Sequence, residues 1–239
     1  MSEGAPAFGL RLSGLADRFG LSEHQSSQLR AFASILVADD RAPTTVREPK
    51  RVRDDHLADA LVALQLPAVR AAGTIADLGA GAGVPGIPLA IALPEARVTL
   101  VEGNGHKCEF MMRAAEAAMV SNVEVVNERA EAYARGLGSF DVVTARALAS
   151  LDVVAEYGAP LLRVGGSLVV WRGVRDPGAE ADAARAADLL GLLVEAPLRV
   201  EPYAGAENRH LHVMLKVMDT PTRFPRRPGV ARKRPLGRA

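Results

Sequence analysis

From residue 73 onward the chain alternates short apolar runs with longer helical stretches, and no other feature restricts the fold as much. The runs are Thr74–Leu78, Arg97–Glu102, Val123–Asn127, Phe140–Ala145 and Ser167–Trp171. Apolar periodicity predicts helices over Ile87–Leu93, Lys107–Met119, Leu151–Leu162 and Ala179–Leu190. Runs this short and apolar suit strands covered on both faces. Strands alternating with helices give an α/β fold with a mostly parallel sheet and right-handed crossovers. Between Asn127 and Phe140 the chain is too short and too broken by glycine for a helix. Residues 209–217 alternate with period two, which predicts a late antiparallel strand beside Leu193–Val200.

The first βα turn holds the chemistry. It reads Asp77-Leu78-Gly79-Ala80-Gly81-Ala82-Gly83-Val84-Pro85-Gly86. Gly79, Gly81 and Gly83 permit positive φ and let a ligand approach bare backbone, so a ligand is expected in the crevice at the carboxyl ends of the strands. Two ligand classes compete. Gly81 to Gly86 satisfies G-x-G-x-x-G, and Glu102 follows about twenty residues on, as in NAD sites. Against NAD stand the acid Asp77 ahead of the glycines and the lack of a second α/β domain. An acid before the turn and another after the second strand suit S-adenosylmethionine: Glu102 for the ribose hydroxyls, backbone amides for the carboxylate, Asp77 for nearby amines or waters. A phosphate loop is excluded, because no Gly-Lys-Ser/Thr follows the glycines.

Upstream, Ser22 can cap a helix over Leu21–Asp39, Ala42-Pro43-Thr44-Thr45 breaks it, and Asp54–Leu64 reads as another. The expected organisation is a helical region over 1–66, an α/β domain over 67–219 and a basic tail over 220–239. Net charge is +1, but it is unevenly spread: residues 223–239 carry seven bases and no acid, while the rest holds 22 bases against 28 acids. A second basic patch spans Arg41, Arg47, Lys50, Arg51 and Arg53. Basic segments on an acidic body point to a polyanionic partner. A single cysteine, Cys108, allows no intrachain disulfide and no cysteine-based zinc site. Met1–Leu15 lack the apolar core of a leader and no apolar run has membrane length, so a cytoplasmic location without membrane contact is expected.

The run Asp77 to Pro88, with its two trailing prolines, resembles the bacterial small-subunit rRNA guanine-N7 methyltransferases known as RsmG or GidB. Further segments match in order: Asp55-His56-Leu57-Ala58-Asp59-Ala60-Leu61, Arg129-Ala130-Glu131, Ala145 to Leu151, Arg209-His210-Leu211, and Phe224-Pro225-Arg226-Arg227-Pro228-Gly229. The resemblance implies a class I, Rossmann-like fold with a helical N-terminal region. It also implies N7 methylation, from S-adenosylmethionine, of the 16S rRNA guanine conventionally numbered 527, as naked rRNA or in the small subunit. By the same resemblance the cofactor contacts are Gly79, Val84, Glu102, Ala130, Glu131 and Arg146. Where the family commonly has Lys-Gly after the fifth strand, this chain has Arg172-Gly173.

Other residues carry weaker signals. Arg146 and Arg172 are expected to reach substrate, with a structural ion pair the lesser reading for Arg146. Arg223, Arg226, Arg227 and Lys233 are expected to bind RNA. His56 and Asp59 share a helical turn, which suits packing better than catalysis. His210 and His212 share a strand face without a third ligand, so no metal is expected. Trp171 reads as core or cleft wall. No general base is expected, since a guanine N7 lone pair has no proton to lose; alignment alone would serve. An NAD-dependent oxidoreductase and a non-catalytic RNA-binding protein on a Rossmann-like scaffold are the competing readings.

Overall fold

The computed structural model describes residues 12–238, so residues 1–11, where a leader would begin, lie outside it. Two helices open the described chain, α1 (Ser13–Phe19) and α2 (Glu23–Ala38). Ser22 caps α2 as a capping box: its Oγ accepts from Gln25 N–H at 3.2 Å, and Gln25 Oε1 accepts from Ser22 N–H at 2.8 Å.

The second expected helix is differently built. Glu48 caps a first turn, α3 (Pro49–Arg51), which widens into π-helix over Val52–Ala58, then continues as α4 (Asp59–Leu61) and a 3₁₀ turn over Val62–Gln65. The widening has a cause. An α-helix would pair the Asp55 carbonyl with Asp59 N–H, but that carbonyl accepts from Arg146 Nη1 at 2.7 Å. Asp59 N–H is shared between the Asp54 carbonyl, in the π-helical pattern, and the His56 carbonyl.

After α5 (Pro67–Arg70) the sheet begins. Its elements are β1 (Thr74–Leu78), α6 (Gly86–Ala92), β2 (Arg97–Val101), α7 (Gly105–Ala117), β3 (Val123–Val126), β4 (Phe140–Arg146), α8 (Leu151–Gly158), β5 (Leu162–Arg172), α9 (Pro177–Leu190), β6 (Leu192–Val194), β7 (Leu198–Val200), β8 (Arg209–Lys216) and α10 (Val230–Lys233). Strand order is β3-β2-β1-β4-β5-β8-β6, with β7 also pairing β8. The first five strands run parallel, and β8 is antiparallel to β5, β6 and β7. Strand order therefore reverses between β1 and β4, where a ligand crevice opens in sheets of this kind.

β5 starts five residues earlier than the apolar run suggests: Leu162 already pairs with Phe140, and exposed residues 163–165 lie where the register shifts before Ser167 pairs with Val142. A Cβ at Gly166 would meet the Asp141 and Phe140 carbonyl oxygens at 2.8 and 2.9 Å, so glycine lets the two strands close there. One apolar layer packs Leu29, Phe32 and Leu36 of α2 with Ile75, Leu100 and Phe110. The N-terminal helices thus share the core of the sheet. The opposite layer gathers Val143, Val154, Tyr157, Leu168, Leu190 and Met214. The basic tail packs on the domain: Phe224 and Ala231 are buried, and α10 lies on α8. No helix among the described residues is long and apolar enough to cross a membrane.

Candidate active site

The glycine turn adopts left-handed backbone at Gly79 (φ 64°), Gly81 (φ 59°) and Gly83 (φ 82°). Beneath it lies Asp77, 0% exposed. Its Oδ2 accepts from Gly86 N–H and its Oδ1 from the Thr144 hydroxyl, each at 2.9 Å. Burial pushes its carboxyl up to about 7, against the pull of those two bonds. Asp77, expected at the cofactor, thus holds the turn from below. Asp77→Asn tests this. Between about pH 4 and about pH 7 folded Asp77 keeps a proton that the unfolded chain has released, so its contribution to stability falls as pH rises and is fully lost above the folded pKa. The melting-temperature difference between wild type and Asp77→Asn is expected to shrink over that window and then level off. A difference independent of pH would contradict it.

Above the turn, a cleft of about 430 Å³ is lined by Gly79, Glu102, Ala130, Glu131, Tyr157 and Arg232, among others. Glu102, at the end of β2, accepts from Gly81 N–H at 3.1 Å and Asn104 N–H at 3.0 Å, one bond to each oxygen. Gly79, Glu102, Ala130 and Glu131 thus come together as expected positions on one cleft. Gly83 and Val84 are not among its lining residues, and Val84 is buried in the core. The Glu131 carboxylate accepts from Arg129 Nε at 3.1 Å and Gly229 N–H at 3.2 Å, which ties the tail to the cleft wall. Lys107, Arg129, Tyr157 and Arg232 also line it and were not expected. Tyr157 and Arg232 sit on α8 and α10, far in sequence from the glycines, with no motif to mark them.

A second cavity, also about 430 Å³, opens beside the first; Ala147, at φ 54°, lines both. Arg146, expected at the cofactor, lines this second cavity. Its Nη1 donates to Asp55 O at 2.7 Å and Asp59 Oδ2 at 2.9 Å, and its Nη2 faces His56 Nδ1 at 3.2 Å. Burial first, then the Arg146 charge, hold His56 down at about 4. Neutral His56 therefore accepts from Arg146 on Nδ1 and donates from Nε2 to Thr44 Oγ1 at 2.9 Å. Trp171 walls the cavity, its indole N–H bonded to Asp59 O at 2.7 Å. Arg172 lines it too, with Nη2 bonded to Ala149 O at 2.9 Å and its pKa pulled down by burial.

The tail residues divide. Arg226 is half-buried: its guanidinium donates to both oxygens of Glu156 at 2.8 and 2.5 Å, and its backbone N–H to the same carboxylate at 3.0 Å. Its guanidinium, expected at RNA, is thus paired within the fold. Arg223, Arg227 and Lys233 are exposed. His210 and His212 do not converge on a metal: His210 Nδ1–H donates to Gly173 O at 2.9 Å, and His212 is buried. Among the described residues no group of three metal-ligating side chains occurs.

Comparison with known proteins agrees with this architecture. A predicted O-methyltransferase from Agrobacterium tumefaciens is similar over 68% of this chain and 80% of its own, with TM-score 0.51 and 28% identity. Ribosomal RNA small subunit methyltransferase G of Rubrobacter xylanophilus is 43% identical over 222 residues, covering 90% of this chain and 85% of that protein. The protein of the same name from Chloroflexus aggregans is 41% identical, covering 90% and 92%. The model of the GidB family, described as rRNA small subunit methyltransferase G, matches residues 25–197. With that match over most of its length and relatives this similar, the chain belongs to the GidB family of rRNA small subunit methyltransferases.

Proposed function

We propose that this protein transfers a methyl group from S-adenosylmethionine to N7 of a guanine in 16S rRNA, the one numbered 527, and so works in the cytoplasm. The observation that carries the reading is the meeting of two cavities at Ala147, one on the glycine turn and one walled by Arg146, Trp171 and Arg172. The cofactor cleft fits its ligand chemically. A carboxylate stands at the end of β2 for ribose hydroxyls, and backbone without side chains lines the turn for a carboxylate group. S-adenosylmethionine supplies an electrophilic methyl carbon on a sulfonium. Glu102 orients the ribose, the glycine turn holds the amino-acid end, and Trp171 and Arg172 bound the space for the base.

No proton need move at N7, and His56, with both ring nitrogens already engaged, is not called on as a base. Exposed Arg223, Arg227 and Lys233 would meet rRNA phosphates. Membership in the GidB family favours this reading over the oxidoreductase and non-catalytic ones. The test is incubation with labelled S-adenosylmethionine and small subunits or 16S rRNA. The expected product is 7-methylguanosine, and the single-turnover rate should be nearly flat across moderate pH. A rate rising with an apparent pKa near neutrality, with the methyl on N1, N2 or a ribose hydroxyl, would refute the mechanism.

A further inference from the structure

Among the described residues that line the second cavity, Asp59 has conspicuously incomplete hydrogen bonding. Its side chain is only 9% exposed. Oδ2 is held by Arg146 at 2.9 Å, while buried Oδ1 has no hydrogen-bond partner. The cation facing Oδ1, Arg209, keeps its Nε 3.7 Å away, beyond hydrogen-bond reach. The residue itself is pinned, because Trp171 bonds its carbonyl and Arg146 its other oxygen. A buried, oriented, half-satisfied carboxylate is costly unless a ligand completes it.

Resting on the proposed function, we infer that Asp59 reads the guanine: Oδ1 accepts from the C2 amine, with N1–H on the same side, as Arg209 swings aside. That edge of guanine carries two adjacent donors. Adenine offers an acceptor at N1 and a bare C2–H. Uracil flanks its single donor with two carbonyl oxygens, which a carboxylate repels. N7 lies across the purine from the C2 amine, so anchoring that amine at Asp59 leaves N7 free to face the cofactor cleft past Ala147. As the N7 lone pair bonds to the methyl carbon, the sulfur–methyl bond breaks and its electron pair stays on sulfur. Positive charge passes to the purine, its N–H groups become stronger donors, and their bond to Asp59 tightens in the transition state.

The experiment compares small subunits reconstituted with guanine or inosine at the target. Inosine keeps N7 and N1–H but lacks the C2 amine. Wild type is expected to methylate inosine about tenfold to a hundredfold more slowly, the usual worth of a hydrogen bond to a charged group. In Asp59→Asn the amide oxygen must face Arg146, which turns an NH₂ toward the purine amine. That variant should lose a similar factor on guanine and treat the two bases alike, while still binding S-adenosylhomocysteine. Equal wild-type rates on guanine and inosine overturn the proposal, and this comparison stands even if the variant does not fold. So does an Asp59→Asn variant that slows both bases by one factor, leaving their ratio unchanged. No 7-methylguanosine from wild type on guanine would overturn the proposed function itself, and this assignment with it.

Discussion

Gly79→Val is expected to weaken S-adenosylhomocysteine binding by about a hundredfold or more, the equivalent of about 3 kcal/mol. Two effects act together. Gly79 sits at φ 64°, where an L-residue pays about 1–2 kcal/mol and a β-branched one more. An added Cβ would also lie 2.5 Å from Leu148 Cδ1. Leu148 itself lines the cofactor cleft, so the displaced side chain is driven into the space the ligand needs. Gly81 shares the strain but not the collision, since its Cβ would meet nothing nearer than Gly79 O at 3.7 Å. Gly81→Ala should therefore bind better than Gly79→Ala. Titration calorimetry on folded variants measures both. Undiminished affinity in Gly79→Val would show that the turn does not hold the ligand.

Arg226→Ala is expected to destabilise the protein by about 3–5 kcal/mol, because it strands a buried carboxylate. Glu156 is 1% exposed, and the three bonds it accepts all come from Arg226. A loss of that size corresponds to a melting temperature lower by about 10 °C in a chain of this length. The damage should extend to the cleft. Gly229 bonds Glu131, and Arg232 bonds Leu148 O at 3.0 Å, so a loosened tail frees two parts of the cofactor wall. Weaker S-adenosylhomocysteine binding should accompany the thermal loss. Replacing both partners by apolar residues, Glu156→Leu with Arg226→Met, should recover much of the stability, since neither charge is then buried alone. A melting temperature unchanged by Arg226→Ala would mean that the tail does not pack on α8.

The elements legible from sequence were those whose causes are local. β1 appears over the same five residues as its apolar run, Thr74–Leu78, because strand and turn chemistry lie side by side in the chain. Ser22 announces α2 because a cap and its partner are three residues apart. The glycine turn and Glu102 were legible for a similar reason: each sits at the end of a strand that periodicity predicts. The π-helical turn at Val52–Ala58 was not, because a guanidinium 91 residues away takes the Asp55 carbonyl.

Distance in sequence separates the rest. Arg226 reads as one more base in a positive run until its partner Glu156, 70 residues earlier, is seen in the core of α8. The partners of Arg146 are equally hidden, since Asp59 and His56 meet it across 87 and 90 residues. The sequence by itself therefore determined the α/β order, the glycine turn and the acid that faces it, since periodicity, capping and turn geometry act between near neighbours. Only the tertiary structure decided which charges are spent on each other and which remain for a ligand, because pairing buried charges depends on desolvation and on contacts that no local pattern records.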